Sequence, residues 1–223
     1  MKYPLLLAAF FGCVLLAHGQ GSVQKVAQRP YQAGIDAVSY VHLPLESDAR
    51  AKLYGPSGLF FRYTPPHFFS GRAGLRAGAG FSRRVTGPIP SCSDCLEGET
   101  TARALTLRAG AQYVPFRKLP WFYGFADGTY RNTVVSGDYT GGLCGCLDYT
   151  QTRTGHGWGT QAGMGATIAL FSRFAVVPEL YYEDIFTRIS NVYADHSDGS
   201  TLSMLQRRRH RTPAFRVLAT VSF

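Results

Sequence analysis

The chain has 223 residues, of which 45% are hydrophobic and 17% charged, with a formal net charge of +9 and a mean hydropathy of −0.06. This composition excludes a bundle of membrane-spanning helices, because no stretch beyond the N-terminal segment approaches the roughly 20 consecutive apolar residues that such a helix needs. The 25 glycines and the aromatic content of 13% instead suit strands packed around a narrow interior.

The N-terminal segment has the pattern of a secretory signal. Residues 1–3 form a short basic start, 4–16 are mostly apolar, and 17–19 offer small residues at a cleavage site. We therefore expect residues 1–19 to be removed and residues 20–30 to form a short periplasmic segment. Behind an export signal, a basic chain suits anions such as lipopolysaccharide phosphates better than it suits nucleic acid.

Eight segments alternate apolar side chains with small or polar ones, as β-strands do. In the last of them, an apolar residue occupies every odd position from Phe215 to Phe223. No stretch has enough helical periodicity to cover these apolar faces, so we expect them to face lipid. The predicted strands are 31–42, 57–65, 69–82, 102–114, 119–131, 157–170, 173–187 and 213–223.

The connections between these strands alternate in length. Short turns are predicted at 64–67, 115–118 and 171–173. Long loops rich in Gly, Ser, Asp and Arg are predicted at 43–56, 83–101, 132–156 and 188–212. Short periplasmic turns and long extracellular loops are typical of an up-and-down antiparallel barrel in the bacterial outer membrane.

Alternation also divides the charged residues between the two faces. A charge on the lipid face costs roughly 2–4 kcal/mol at the membrane centre, so these residues are predicted to face the interior. An eight-stranded barrel is only wide enough for its own side chains, which predicts a lumen filled by an ionic network. We expect Arg216 to pair with Asp36 or Glu179. The predicted network consists of Asp36, Arg62, Arg72, Arg76, Arg108, Glu179, Glu183 and Arg216.

Two features complicate this pattern. The faces of 119–131 cannot be assigned, because Phe125 and Asp127 share one parity. Pro178 lies inside a predicted strand, where it cannot donate a ladder hydrogen bond, and a local bulge is expected there. The residues predicted for interfacial aromatic belts are Tyr113, Trp121, Tyr123, Trp158 and Tyr182.

Four cysteines, Cys92, Cys95, Cys144 and Cys146, fall in two of the predicted outer loops. Outside the inner membrane disulfides are the default, so we predict either a bond between Cys92 and Cys95 or a bridge between the second and third loops. A zinc site is the alternative in a reducing compartment, and no metal is predicted here.

The predicted fourth loop contains the basic run Arg207, Arg208, Arg209, His210 and Arg211. At the level of anionic headgroups its arginines would contact lipopolysaccharide, and the alternative is a solvated face. The sequence Asp195-His196-Ser197-Asp198 contains the residue types of a hydrolase triad, but adjacent loop residues point in different directions. We therefore predict no catalytic residue and no cofactor.

The signal segment, the eight alternating strands, the glycine-rich inward faces and the ending Val221-Ser222-Phe223 resemble the small outer-membrane β-barrel superfamily of OmpA/OmpX-type and PorT-like proteins. The resemblance implies a barrel over 31–223 and a role for Phe223 as a signal to the barrel-assembly machinery. It implies a non-enzymatic protein with a structural or surface-interaction role. The alternatives are a component of a secretion or transport assembly, with a secretion-complex partner, and a lipid-A-modifying enzyme.

Overall fold

The computed structural model describes residues 29–41, 52–54, 58–86, 96–141, 148–196 and 199–223. The predicted signal at 1–19 and most of the segment 20–30 lie outside these ranges. No helix in the described part is long and apolar enough to cross a membrane. The strands are β1 Tyr31–Val41, β2 Lys52–Tyr54, β3 Gly58–Tyr63, β4 Ala73–Thr86, β5 Leu96–Tyr113, β6 Phe122–Gly141, β7 Tyr149–Ala166, β8 Ile168–Ala169, β9 Phe174–Asp195 and β10 Thr201–Ser222.

Eight of these strands close into an antiparallel ring. The order β1, β3, β4, β5, β6, β7, β9, β10 returns to its start, because β10 pairs with both β9 and β1. The short strands β2 and β8 pair with β1 and β9 beside the ring. The predicted all-β fold of eight antiparallel strands is therefore confirmed, and closure removes the free edges that an open sheet would present.

The strands are longer than the sequence pattern predicts. Large parts of the segments 83–101, 132–156 and 188–212 are strands rather than loops, and the last connection is confined to residues 196–200. The ladder between β5 and β6, for example, runs unbroken from Leu96 opposite Gly141 to Tyr113 opposite Gly124. The pairing continues where the outward side chains become polar, and a test based on apolar alternation does not detect such extensions.

One end of the ring holds the connections β3–β4, β5–β6 and β7–β9. This end, called the turn end below, carries exposed aromatic side chains. Each connection there, at 64–72, 114–121 and 170–173, presents at least one exposed phenylalanine. Phe69 and its neighbour Ser70 have φ of 47° and 57°, a left-handed conformation that non-glycine residues rarely adopt. The exposed phenylalanines of the turns are Phe68, Phe69, Phe116 and Phe171.

The two faces of the ring differ as the alternation predicts. The buried charged and polar side chains of the ring strands point inward, and most of the large exposed apolar ones lie on the outside. In β6, the face that the sequence left unassigned, Tyr123, Phe125 and Asp127 point inward and are buried. The exposed outward residues include Leu59, Leu75, Phe81, Leu107, Trp158, Met164, Phe174, Leu180, Tyr182 and Phe186.

The ladder is interrupted at Pro178, but not by the expected bulge. Pairing between β7 and β9 ends at Gly165 opposite Glu179, and it resumes at Ile168 opposite Val176 with unchanged register. Pro178 has no N–H to donate to the facing strand. At the break, the N–H of Thr167 donates to the carbonyl of Trp121, on the β6 side. Ala166 has the outward parity of β7, but it is fully buried at this break.

The ring has its register shift in β1, between Asp36 and Val38. A bulge of this kind changes the direction of neighbouring side chains and bends the strand. Asp36 is buried beside it and points into the interior, where Gly58 leaves room for its carboxylate.

Glycines on the inward face make space for the ionic side chains. A Cβ at Gly78 would collide with the guanidinium of Arg108, and one at Gly165 would lie 2.7 Å from the Tyr123 hydroxyl. Gly110 is tighter still, because its Cβ would meet the backbone of Ala126 and lie 2.5 Å from a carboxylate oxygen of Asp127.

We predict that Gly110→Ala lowers the stability of the folded protein by about 1–3 kcal/mol, because the backbone contact can be relieved only by moving β6. The matched control is Gly128→Ala on the outward face, where the nearest atom to the added Cβ is 3.7 Å away. Thermal unfolding in detergent, followed by circular dichroism and by heat-modifiable gel migration, measures both. Equal melting temperatures for the two variants would contradict the tight inner packing.

Candidate functional site

The interior is organised around the carboxylate of Glu179 in β9. Arg76 reaches it from β4 through two hydrogen bonds, Nη1 to Oε1 at 2.8 Å and Nη2 to Oε2 at 2.9 Å. Arg216, opposite it on β10, donates from Nε to Oε2 at 2.5 Å, and the Tyr123 hydroxyl donates to Oε1 at 2.6 Å. The predicted pairing of Arg216 with one of two acids is thus confirmed, and its partner is Glu179.

A second carboxylate completes this group. Asp127 of β6 lies 3.0 Å from Nε of Arg76 and 3.5 Å from Nη2 of Arg216. We call Arg76, Arg216, Glu179 and Asp127 the central cluster. Its two positive and two negative charges come from four strands, and all four side chains are at most 1% exposed.

Two further ion pairs flank the central cluster. Arg108 donates to Asp36 at 2.7 Å, joining β5 to β1. Arg131 forms a two-point pair with Glu183 at 2.9 and 3.0 Å, joining β6 to β9. The interior is therefore crossed by ion pairs between strands that are not neighbours in the ring.

Gln161 connects the Glu183 pair to the central cluster. Its amide nitrogen donates to Glu183 at 2.9 Å, and its amide oxygen accepts from Arg216 at 3.2 Å. Arg62 has a different environment, because it donates to Gln112 at 3.4 Å and has no carboxylate partner within the described ranges. Its guanidinium lies 5.2 Å from the ring centroid of Tyr123.

Aromatic rings support the buried guanidinium groups. The ring centroid of Phe125 lies 3.9 Å from the guanidinium carbon of Arg76 and 5.4 Å from that of Arg216. The ring centroid of Tyr181 lies 4.7 Å from the guanidinium carbon of Arg216. Contacts of this kind are cation–π interactions, which strengthen where water is excluded. The arginines are thus held both by carboxylates at their edges and by rings over their faces.

This arrangement brings buried charges from several strands into contact inside the ring. Buried charges are stable only when paired and hydrogen-bonded, and breaking one pair leaves an uncompensated charge. The groups of the central cluster are in mutual contact and have almost no solvent exposure, so a substrate would have to separate them in order to enter. Among the described residues, no group of three or more His, Cys, Asp or Glu side chains is placed to hold a metal ion.

The structure relocates one residue of the predicted network. Arg72 lies in the turn before β4, where strand alternation does not apply. Its guanidinium donates to the carbonyl of Val114 at 2.9 Å and to that of Pro115, and it lies over the ring of Tyr113. The members placed in the interior are Asp36, Arg62, Arg76, Arg108, Glu179, Glu183 and Arg216.

Sequence reasoning missed Asp127 and Arg131 as members of the network. Both belong to the inward row of β6, in which buried residues occupy odd positions from Tyr123 to Thr133. Tyr123, predicted for an aromatic belt, is in this row and bonds Glu179 instead. The signal was present in the alternation of charged and threonine side chains, but the outward positions Gly124, Ala126 and Gly128 are too small to mark a lipid face.

The basic run near residue 209 lies within β10 rather than in a loop. Strand alternation therefore separates its members: Arg207, Arg209 and Arg211 share the outward parity, and Arg208 shares the inward one. Asp184 of β9 accepts from Arg209 at 2.8 and 2.5 Å and from Arg211 at 3.2 Å. The four arginines do not form one surface.

His196 does not form a hydrolase triad with the described residues. The hydroxyl of Thr150 donates to Asp138 at 2.7 Å and lies 2.8 Å from Nε2 of His196. In a catalytic triad the histidine lies between the carboxylate and the hydroxyl, so that it can accept the proton of the nucleophile. Here the hydroxyl lies between the other two groups and gives its proton to the carboxylate. Ser197 and Asp198 lie outside the described residues.

The remaining predicted positions fall at or beyond the ends of the described strands. Cys92, Cys95, Cys144 and Cys146 lie outside the described residues. Phe223 is exposed at the turn end; its N–H donates to the carbonyl of Tyr31 at 3.1 Å, and the two rings stack at 6.3 Å. Its role in assembly stays a prediction.

Comparison of the sequence with protein-family models and with curated proteins finds no match.

We predict that Glu179→Gln lowers the stability of the folded protein by about 3–5 kcal/mol, because the neutral amide leaves two buried arginines short of negative charge. Asp184→Asn is the control, since that carboxylate also contacts two arginines but lies on the exposed outer face. Its removal is expected to change stability much less. Urea unfolding in detergent measures both, and similar losses for the two variants would contradict the central role of Glu179.

Proposed function

We propose that the protein is a bacterial outer-membrane β-barrel that acts without enzymatic activity, in a structural or surface-interaction role, with its lumen closed by its own side chains. One observation carries this proposal: paired charges fill the inside of the ring while large apolar side chains cover the outside. Soluble proteins rarely expose apolar surface of this extent, and a membrane would cover it.

The distribution of aromatic side chains supports an orientation in which the turn end lies on the periplasmic side of the membrane. The phenylalanines of the turns and Phe223 would lie at the periplasmic interface. A second row, Tyr130, Trp158 and Phe186, follows the paired positions of β6, β7 and β9 towards the other end. Between the two levels β7 and β9 each have about five outward positions, which corresponds to the roughly 25 Å apolar band of such barrels. The last of these positions on β9 is Asp184, whose charge is paired with Arg209 and Arg211.

The strand lengths support a role at the cell surface. β9 and β10 have 22 residues each. At about 3.3 Å per residue and a tilt near 40°, they would rise about 55 Å, roughly twice the apolar band. The hairpin ends, which carry polar side chains and the exposed Leu202, Met204 and Leu205, would then stand outside the membrane, where they could meet another protein. The secretion-assembly and lipid-A-modifying alternatives stay predictions that rest on the resemblance alone.

We expect Leu180→Arg to block stable insertion into lipid vesicles, because Leu180 lies midway between Phe174 and Phe186 on the outward face of β9, and a lipid-facing arginine near the middle of the apolar band costs roughly 2–4 kcal/mol. Leu205→Arg is the matched control: it is also an outward leucine, but it lies beyond the last aromatic row. Insertion is scored by protease protection and heat-modifiable migration after refolding into vesicles. Equal insertion of the two variants would refute a lipid-facing belt.

In planar bilayers we expect the wild-type protein to carry almost no ionic current, because the ion pairs occupy the lumen. Replacing Arg76, Asp127, Glu179 and Arg216 together by alanine removes the central cluster and should raise the current in any variant that still inserts. Discrete conductance steps from the wild-type protein would contradict a closed lumen.

A further inference from the structure

Two pairs of arginines lie directly opposite one another on the outer face of the ring. Arg188 of β9 is paired in register with Arg207 of β10, and Arg83 of β4 with Arg103 of β5. All four residues are exposed and have the outward parity of their strands. Directly opposed residues on one face have Cβ atoms about 5 Å apart, and like charges in such positions destabilise the sheet.

The first pair lies one outward step beyond the second aromatic row. Below Arg188 on the same face is Phe186, and below Arg207 is Arg209, whose guanidinium lies 4.4 Å from the Phe186 ring centroid. On the other side of Arg188, the ladder places His156 of β7 directly opposite. His156 contacts the Tyr130 hydroxyl through Nδ1 at 3.2 Å. Arg188 and Arg207 therefore have the basic residues His156 and Arg209 beside them and the aromatic ring of Phe186 directly below.

The second pair has the same setting on another part of the wall. Arg83 follows Phe81 by one outward step, and Arg103 is one outward step beyond Leu105. Phe81 and Leu105 are themselves opposed and exposed. The second pair thus begins where the apolar face of β4 and β5 ends. The first pair follows Phe186 on β9, whereas on β10 the outward residues below Arg207 are Arg209 and Arg211, both paired with Asp184.

Two other arginines on the outward face of β10 are neutralised by a carboxylate. Arg209 and Arg211 share Asp184, and Asp184 lies within the same outward face. In the described part of the chain, neither Arg188 and Arg207 nor Arg83 and Arg103 contact a carboxylate. Two opposed guanidinium groups without an acid suit a ligand that brings negative charge to both.

We propose that the Arg188–Arg207 pair and the Arg83–Arg103 pair each bind a phosphate group of a phosphorylated lipid headgroup in the outer leaflet. Guanidinium groups bind phosphate oxygens through two parallel hydrogen bonds, so one phosphate can accept from both arginines of a pair. A lipid is the favoured source because exposed apolar side chains lie directly below each pair, Phe186 below the first and Phe81 with Leu105 below the second, where they would contact its acyl chains. This inference rests on the proposed insertion in the outer membrane.

The test uses the full chain folded in detergent, so that it does not depend on insertion. The probe is bisphosphorylated lipid A, compared with the same lipid after removal of its phosphates, and bound lipid is quantified by native mass spectrometry. The variants are R188Q with R207Q, and R83Q with R103Q. The control is R117Q with K118Q, which removes the same charge from an exposed turn at the other end of the ring.

Each variant pair is expected to weaken binding of the phosphorylated probe at its own site by about tenfold, so that the number of tightly bound lipids falls from two to one, while the control retains wild-type binding. The dephosphorylated lipid should bind weakly to all forms. Equal binding of the two lipids, or an equal loss in the control, would overturn the assignment. Displacement by inorganic phosphate at the lipid's own concentration would show an ion site and would overturn the choice of a lipid.

Heat-modifiable migration confirms folding of each variant before the measurement, so that a lost signal is not a lost structure. Failure of the wild-type protein to insert into vesicles would remove the proposed function. Loss of phosphate selectivity in a protein that does insert would remove only the arginine sites.

Discussion

The interior of this protein depends on the contact between two arginines and two carboxylates at its centre. Backbone hydrogen bonds join each strand only to its neighbours, whereas Arg76 on β4 reaches Glu179 on β9 and Asp127 on β6 across the lumen. Arg216 attaches β10 to the same acids. The central cluster therefore joins opposite walls of the ring and fixes how far apart they lie.

The surrounding residues follow from the need to bury this cluster. A buried charge is tolerated only when its partners are close and its remaining hydrogen-bonding groups are satisfied. Rings from Phe125 and Tyr181 cover the guanidinium faces, and Tyr123 satisfies Glu179. Glycines such as Gly78 and Gly110 leave the volume into which the long side chains extend. The proposed role of the outer face and the hairpin ends rests on this packing, because a lumen filled by such side chains would be closed.

The outer face obeys the complementary rule. Once the charges are inside, alternation leaves apolar residues outside over about half of the long strands, and polar ones beyond. At that boundary the chain retains opposed arginines where other positions have acids to balance them, as Asp184 balances Arg209 and Arg211. The level at which the outer face changes from apolar to basic is therefore set by the register of the strands and not by any one residue.

The sequence by itself determined the ring and the face of most side chains, because a two-residue alternation is a local property that can be read along one strand. It placed Arg76, Glu179 and Arg216 inside, and it anticipated the pairing of Arg216 with a carboxylate. It did not detect the polar extensions of β5 to β10, since apolar alternation ends where the lipid-facing surface would end. Only the tertiary structure decided that Asp127 completes the central cluster, that Arg72 caps a turn, and that Arg188 lies opposite Arg207. Those relations depend on which residues of distant strands come to the same level, and that level is set by the register of every ladder around the closed ring.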